Sequence, residues 1–358
     1  MFKLSRSGVV RFAGVCIVAA LLAICGAGFI AYAKENATKP YAMPVNPNGD
    51  LIWGANGHPT TAYGSVTLDE QMAALARLGL TYYRVGARLD MMDAMLAAAK
   101  KHGITLLPVV TGEFDLEKDT PEQIYQKTYG AAKETAKRYR GKIKVWELHN
   151  ELEVHAIILP CEMRDDGTQY PCEWGPAGGV GPGEYYGPRW KKVSAALHGL
   201  SDGIAAGDPK ALRAIGAAGW GHTGMFERLE ADGVKWDISV WHVYRLGGDE
   251  WAYEKLAKFK KPIWITEFNH PFGSTNSETE QANGLAAMMK EMRKMRRYGV
   301  EAAFVYELLD EPYWTNFEGK MGLIRLIKNQ RGEWVLSSDK PAAEAVQSTI
   351  ESWDGSTQ

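Results

Sequence analysis

Two carboxylates far apart in the chain, Glu151 and Glu267, each stand at the end of a short apolar run. The first run is Lys144-Val145-Trp146-Glu147-Leu148, and it breaks into the polar cluster His149-Asn150-Glu151. The second, Pro262-Ile263-Trp264-Ile265-Thr266-Glu267-Phe268-Asn269, repeats the pattern with one carboxylate at its end. A β-branched and aromatic run that stops at an amide or a carboxylate reads as a buried strand whose C-terminal end carries chemistry. Two such carboxylates facing one another across a cleft are suited to glycosidic bond cleavage. One attacks and must stay ionised, while the other serves as acid and then base, and in the retaining form they stand ~5–5.5 Å apart. Arg84 and Tyr244 are candidates to hold the ionised partner, and Asn150 is a candidate donor to a sugar hydroxyl.

The elements that must position these groups alternate along the chain. Leu51 to Asn56 reads as a first strand, and Thr67 caps a helix with Glu70 as its capping-box partner. Tyr82 to Gly86, Ile104 to Val110 and the Glu151 run follow as strands two to four, separated by helices over Met91–His102 and Pro121–Arg140. Strands five to eight are expected at Leu212–Ala217, Asp237–Tyr244, Pro262–Glu267 and Ala302–Tyr306, again with helices between them. Eight strand–helix units in one domain over residues 50–358 predict an α/β fold, a single (β/α)8 TIM barrel, with long βα loops after strands 4 and 8. A doubly wound sheet would carry a glycine-rich phosphate turn after its first strand, and Asn56-Gly57-His58-Pro59 is not one. The barrel fixes which residues to inspect, those at the C-terminal strand ends: His58, Arg84, Asn150, Glu151, His242, Tyr244, Glu267 and Tyr306.

Composition narrows the partners. A formal net charge of −2 gives no electrostatic case for nucleic acid. The 12 Trp and 16 Tyr are abundant enough to supply both core and sugar-stacking platforms, for which Trp174, Tyr185, Tyr186 and Trp314 are candidates in or beside long loops. No cofactor is expected. No metal is expected either, because His58, His149 and His242 lack a spacing such as His-Glu-x-x-His. Other carboxylates compete for the chemistry, namely Glu147, Glu153, Glu307, Asp310 and Glu311, with Glu307 the strongest rival.

Residues 1–33 are set aside from the fold. Lys3, Arg6 and Arg11 precede an uncharged stretch from Phe12 to Ala33, which reads as a signal peptide or an N-terminal membrane anchor. The protein is therefore expected to be exported, periplasmic or extracellular, and to touch a membrane only through such an anchor. Residues 34–49, rich in Pro and Asn, read as a linker. In the mature part Cys161 and Cys172 flank a polar loop with no CxxC spacing, and a local disulfide is the natural pairing in an oxidising compartment.

Asn150-Glu151 on strand four, Glu267 on strand seven, Arg84 on strand two and His242-Val243-Tyr244 on strand six, in that order, resemble the clan A retaining glycoside hydrolases. The opening Trp53 to His58 and the close Tyr306 to Pro312 resemble glycoside hydrolase family 39, with family 5 as near alternative. The resemblance implies a carbohydrate substrate, Glu151 as acid/base, Glu267 as nucleophile, Arg84 and Tyr244 orienting Glu267, and Asn150 binding the sugar. His58 and His242 are expected to bond sugar hydroxyls. Many clan members place a Trp at the end of strand eight, where this chain has Tyr306-Glu307. That departure motivates an alternative expectation, a catalytically silent glycan-binding barrel in an envelope polysaccharide assembly.

Overall fold

A computed structural model describes residues 39–59 and 63–355. The signal or anchor segment expected over residues 1–33 lies outside the described residues. Eight parallel strands close into a barrel in sequence order: β1 (Ile52–Asn56), β2 (Tyr82–Gly86), β3 (Thr105–Val110), β4 (Val145–Leu148), β5 (Leu212–Ala217), β6 (Ile238–Val243), β7 (Ile263–Phe268) and β8 (Val300–Val305). The outer helices are α1 (Leu68–Arg77), α2 (Met92–His102), α3 (Pro121–Arg138), α4 (Gly187–Gly207), α5 (Gly224–Ala231), α6 (Glu250–Ala257), α7 (Glu278–Lys294) and α8 (Pro341–Glu351). This is the (β/α)8 barrel. Thr67 caps α1 through the capping box with Glu70, and Thr120 caps α3 in the same way through Gln123. Among the described residues, no helix is long and apolar enough to cross a membrane.

Alternation along each strand splits the core into two layers. Ile52, Leu107, Val145, Leu212, Ile238, Trp264 and Phe304 fill the barrel interior. The outward-facing residues, such as Trp146, Ile265 and Phe268, pack beneath the helices. Inside, the rings of Tyr82, Trp264 and Phe304 meet at centroid distances of 6.0–6.1 Å. Gly54 makes room for this plug, because a Cβ there would lie 2.5 Å from the Phe304 ring. The lower barrel is thus solid, and the strand ends above it are left for polar groups.

Two features depart from the sequence reading, and a third, the disulfide in the loop after β4, agrees with it. Tyr41, expected in a linker, is docked, its N–H donating to the Lys210 carbonyl (2.8 Å) and its hydroxyl to Asp208 (3.0 Å). The long connection after β8 contains an antiparallel hairpin, β9 (Ile324–Lys328) and β10 (Trp334–Asp339). The loop after β4 carries two short 3-10 turns, Leu152–Ala156 and Pro182–Glu184, and the disulfide between Cys161 and Cys172.

Candidate active site

The site is wired from Arg84, which is buried at the end of β2. Its Nε and Nη2 donate to the two oxygens of Glu147 (2.8 and 2.6 Å). Its Nη1 donates to Glu267 Oε1 (2.6 Å) and Asn56 Oδ1 (2.7 Å), and its Nη2 also reaches Asn150 Oδ1 (2.7 Å). One guanidinium thus gathers the ends of β1, β2, β4 and β7. Glu147 faces into the barrel two residues after Val145, as strand alternation requires, and its role is to pair with Arg84.

Glu267 is held on its other side by Tyr244, whose hydroxyl donates to Oε2 (2.6 Å). Burial disfavours its charge, but the charges of His242 and Arg84 and the hydrogen bonds from Tyr244 and Arg84 outweigh it. Glu267 is therefore kept ionised, below the usual carboxylate range. The pairing of β6 with β7 shifts register just before the His242–Glu267 pair. Irregularities of this kind re-aim side chains. As a result Thr266 and Glu267, though adjacent, both reach into the barrel mouth.

His242 is buried beneath Glu151 and Glu267. Its Nδ1 lies 2.6 Å from Glu151 Oε1 and 3.4 Å from Glu267 Oε2, and its Nε2 lies 3.1 Å from Thr266 Oγ1. Burial opposes its charge, but Glu267 and the hydrogen bond to Glu151 raise its pKa above the usual value. With both nitrogens committed to protein partners, His242 has no free position for a sugar hydroxyl. The structure corrects that expectation and makes His242 a link between the two carboxylates.

Glu151 and Glu267 each bring an oxygen within 4.8 Å of the other and of a His242 nitrogen. Both line a cavity of about 530 Å³, together with His58, Arg84, Asn150, Tyr244 and Tyr306. Seven of the eight strand-end candidates therefore share one cavity, and the eighth, His242, lies under it. Glu151 has φ 47°, in the left-handed region that non-glycine residues seldom occupy, as does His149 at φ 65°. Such conformations persist only where the surroundings over-determine them, and they cluster at functional sites.

The rings at this cavity are largely not those read from the sequence. Tyr185 is buried in the α4 packing, Trp174 is exposed and does not line the cavity, and Trp314 is exposed at its border beside Glu311. Trp220, Phe272 and Phe317 line the cavity instead, with 69%, 56% and 38% of their surface exposed. Trp220 follows the Ala217-Ala218-Gly219 end of β5, and Phe272 follows β7. An aromatic a few residues past a predicted strand end was the available signal.

A second cluster borders the cavity at the seam of β1 and β8. His58 Nδ1 lies 3.1 Å from Glu307 Oε2 and 2.7 Å from Glu311 Oε1, Tyr63 donates to Glu307 (2.7 Å), and Trp314 Nε1 donates to Glu311 (2.7 Å). Burial pushes Glu307 up to about 8 despite the pull of His58. The hydrogen bonds and charges of the two carboxylates, against burial, lift His58 to about 10. Glu307, the strongest rival for the catalytic part, is thus a fully buried wall group at neutral pH, bound to its neighbours. Because its folded pKa exceeds the ordinary 4.5, its contribution to stability is present below that value and lost as the pH rises through 8. Accordingly, the melting temperature of Glu307→Gln should improve relative to wild type between about pH 5 and about pH 9. A constant difference across that range would refute this assignment.

By donor type, His58, Glu307 and Glu311 form one triad that could hold a metal ion, and Glu151, His242 and Glu267 form another. In each, the histidine already sits at hydrogen-bond distance from a carboxylate.

The family described as glycosyl hydrolase catalytic core is matched over residues 189–313, which include His242, Tyr244, Glu267 and Tyr306 but not Glu151. Comparison with curated proteins finds no match. Among solved structures, the GH53 catalytic domain of Ignisphaera aggregans superposes with a TM-score of 0.57 at 13% identity, over 87% of this chain and 98% of that one. A β-glucosidase from Thermotoga maritima in complex with deoxynojirimycin gives 0.59 at 10% identity, over 87% and 99%. Xylanase 10B from the same organism gives 0.52 at 13% identity, over 84% and 95%. At these identities the superpositions establish the shared barrel and no more. The likeness to a glycosyl hydrolase catalytic core rests on the match over residues 189–313.

Proposed function

We propose that the chain is an exported, retaining glycosidase that cleaves β-linked polysaccharide or oligosaccharide, an exopolysaccharide among the candidates, by double displacement. The observation that carries this reading is the approach of Glu151 and Glu267 to within 4.8 Å across one cavity, from β4 and β7. That spacing is close to the ~5–5.5 Å of a retaining pair and shorter than the gap of an inverting one, which supports direct attack by one carboxylate. In the first step Glu267 bonds to the anomeric carbon as the glycosidic C–O bond breaks, and Glu151 gives its proton to the departing oxygen. In the second, Glu151 takes a proton from water as the water oxygen displaces Glu267. Arg84 and Tyr244 hold the attacking carboxylate ionised and aimed, and Asn150, fixed by Arg84, faces the sugar. The Trp53 to His58 and Tyr306 to Pro312 stretches support a likeness to family 39, with family 5 close by. The uncharged stretch from Phe12 to Ala33 supports export.

A silent binding barrel would not need an ionised, doubly held nucleophile beside a second carboxylate, so we rank that reading second. Proton NMR of a reaction on a β-glycan panel tests the proposal. The first-formed sugar should be the β-anomer, and an α-anomer appearing first would exclude double displacement on a β-bond.

A further inference from the structure

Glu153 lies two residues beyond Glu151, fully buried, and takes no part in the steps above. Its Oε1 accepts from the Ala218 N–H (2.7 Å) and lies 2.8 Å from His222 Nδ1. Both partners belong to the loop after β5, and between them stands Trp220. A buried carboxylate costs free energy unless it is paired, and among the described residues the hydrogen bonds of this one go to that loop alone.

The loop is built to hold one shape. Trp220 has φ 56°, a conformation that bulky L-residues avoid. A Cβ on Gly219 would lie 2.1 Å from the His242 carbonyl oxygen, and one on Gly221 would lie 2.5 Å from that of Gly178. Tyr185 donates to the His222 carbonyl from below (3.2 Å). Despite this rigid base, the Trp220 ring is 69% exposed and lines the cavity. A tryptophan on a strained backbone with most of its surface left in solvent adds little burial to the fold. Its use is to stack on something that enters.

We propose that Trp220 is the platform for the sugar on the leaving-group side of the scissile bond, and that Glu153 and His222 are positioning residues that lock it in register with Glu151. This rests on the hydrolase reading above. The acid must stand beside the departing oxygen, so the leaving-group sugar lies on the flank of Glu151. Of the rings lining the cavity, Tyr244, Phe272, Tyr306 and Phe317 come from the β6–β8 side, around the nucleophile. Trp220 is the ring that comes from β5, next to β4. The ligand is then at least a disaccharide across the cleavage point, and Glu153 makes the acid/base loop and the platform loop one unit.

The test compares cellotetraose, laminaritetraose, xylotetraose and mannotetraose with the β-glycosyl fluoride of the same sugar, whose leaving group carries no ring. Trp220→Ala should lose about tenfold more kcat/KM on the tetrasaccharide than on the fluoride, the size of one stacking contact. Glu153→Gln should show the same bias, and should add no further bias in a Trp220→Ala background, because its effect passes through the indole. A merely structural Glu153 would lower the melting temperature and leave the ratio of the two substrates as in wild type, which would overturn the positioning role. Equal losses on both substrates in Trp220→Ala would overturn the platform. If Glu153→Gln does not fold, His222→Gln breaks the same link from the loop side. If nothing is turned over, the hydrolase reading fails, and binding of the same tetrasaccharides to Glu267→Gln, read by isothermal titration calorimetry, tests the platform separately. Loss of that binding in Glu267→Gln/Trp220→Ala supports it, and equal binding or none in Glu267→Gln overturns it.

Discussion

Glu267→Gln should reduce turnover on the order of 10⁴-fold or more, because an amide cannot form the covalent glycosyl intermediate on which both steps depend. The substitution changes one oxygen to an NH₂ group in a site built for an anion, with Arg84 Nη1 and the Tyr244 hydroxyl both 2.6 Å from the carboxylate. Both are donors, so one of them will face the amide nitrogen. Binding should therefore change less than turnover. A 2-fluoro glycoside should label wild type with one glycosyl unit by mass spectrometry and leave Glu267→Gln unlabelled. Labelling of the variant at the wild-type rate would remove Glu267 from the nucleophile role. A pH effect accompanies the substitution. The folded pKa of Glu267 lies below its ordinary value, so its contribution to stability is complete above that value and lost as the pH falls through the folded one. Glu267→Gln should accordingly lose less melting temperature on acidification than wild type.

Arg84→Met should destabilise the fold by about 3–5 kcal/mol and abolish activity at the same time. The guanidinium makes five hydrogen bonds to Asn56, Glu147, Asn150 and Glu267. Its removal leaves Glu147, 1% exposed, and Glu267, 6% exposed, without their common cation, and breaking a buried pair on one side costs about that much. Arg84→Lys restores the charge but not the fork that spans both carboxylates, and it should fall between the two. Urea midpoints and kcat, measured on the same preparations, check this. An Arg84→Met variant with the wild-type midpoint would mean that the network does not carry the barrel mouth.

The barrel was legible because parallel strands buried on both faces read as apolar runs, and six of the eight runs carry a polar candidate at or near the end. Only the positions at those ends could be read in this way, and Arg84, Asn150, Glu151, Tyr244, Glu267, His58 and Tyr306 do meet at one cavity. Partnerships across the fold were not legible. Glu307 and Glu311 reach His58 over 249 and 253 residues of sequence, across the β1–β8 seam. His242 looked like a sugar ligand because it ends a strand, and only the shifted register of β6 and β7 turns it toward Glu151 and Thr266. The β9–β10 hairpin escaped because it lies outside the barrel, β10 is largely exposed, and the alternation of Ile324 and Leu326 in β9 is too short to read as a strand by itself. Trp220 escaped for a related reason. A single aromatic between two glycines has no periodicity, and its meaning comes from the buried Glu153 beneath it.

The most direct test of the account is Glu151→Ala on an activated aryl β-glycoside, with and without azide. Glu151 supplies the proton in the first step and takes one in the second, so the variant should form the glycosyl-enzyme on a good leaving group and then stall. Azide needs no base and enters the space vacated by the carboxylate. The account predicts that azide restores turnover and yields a β-glycosyl azide. No rescue, or an α-glycosyl azide, would contradict the pairing of Glu151 with Glu267 as acid/base and nucleophile.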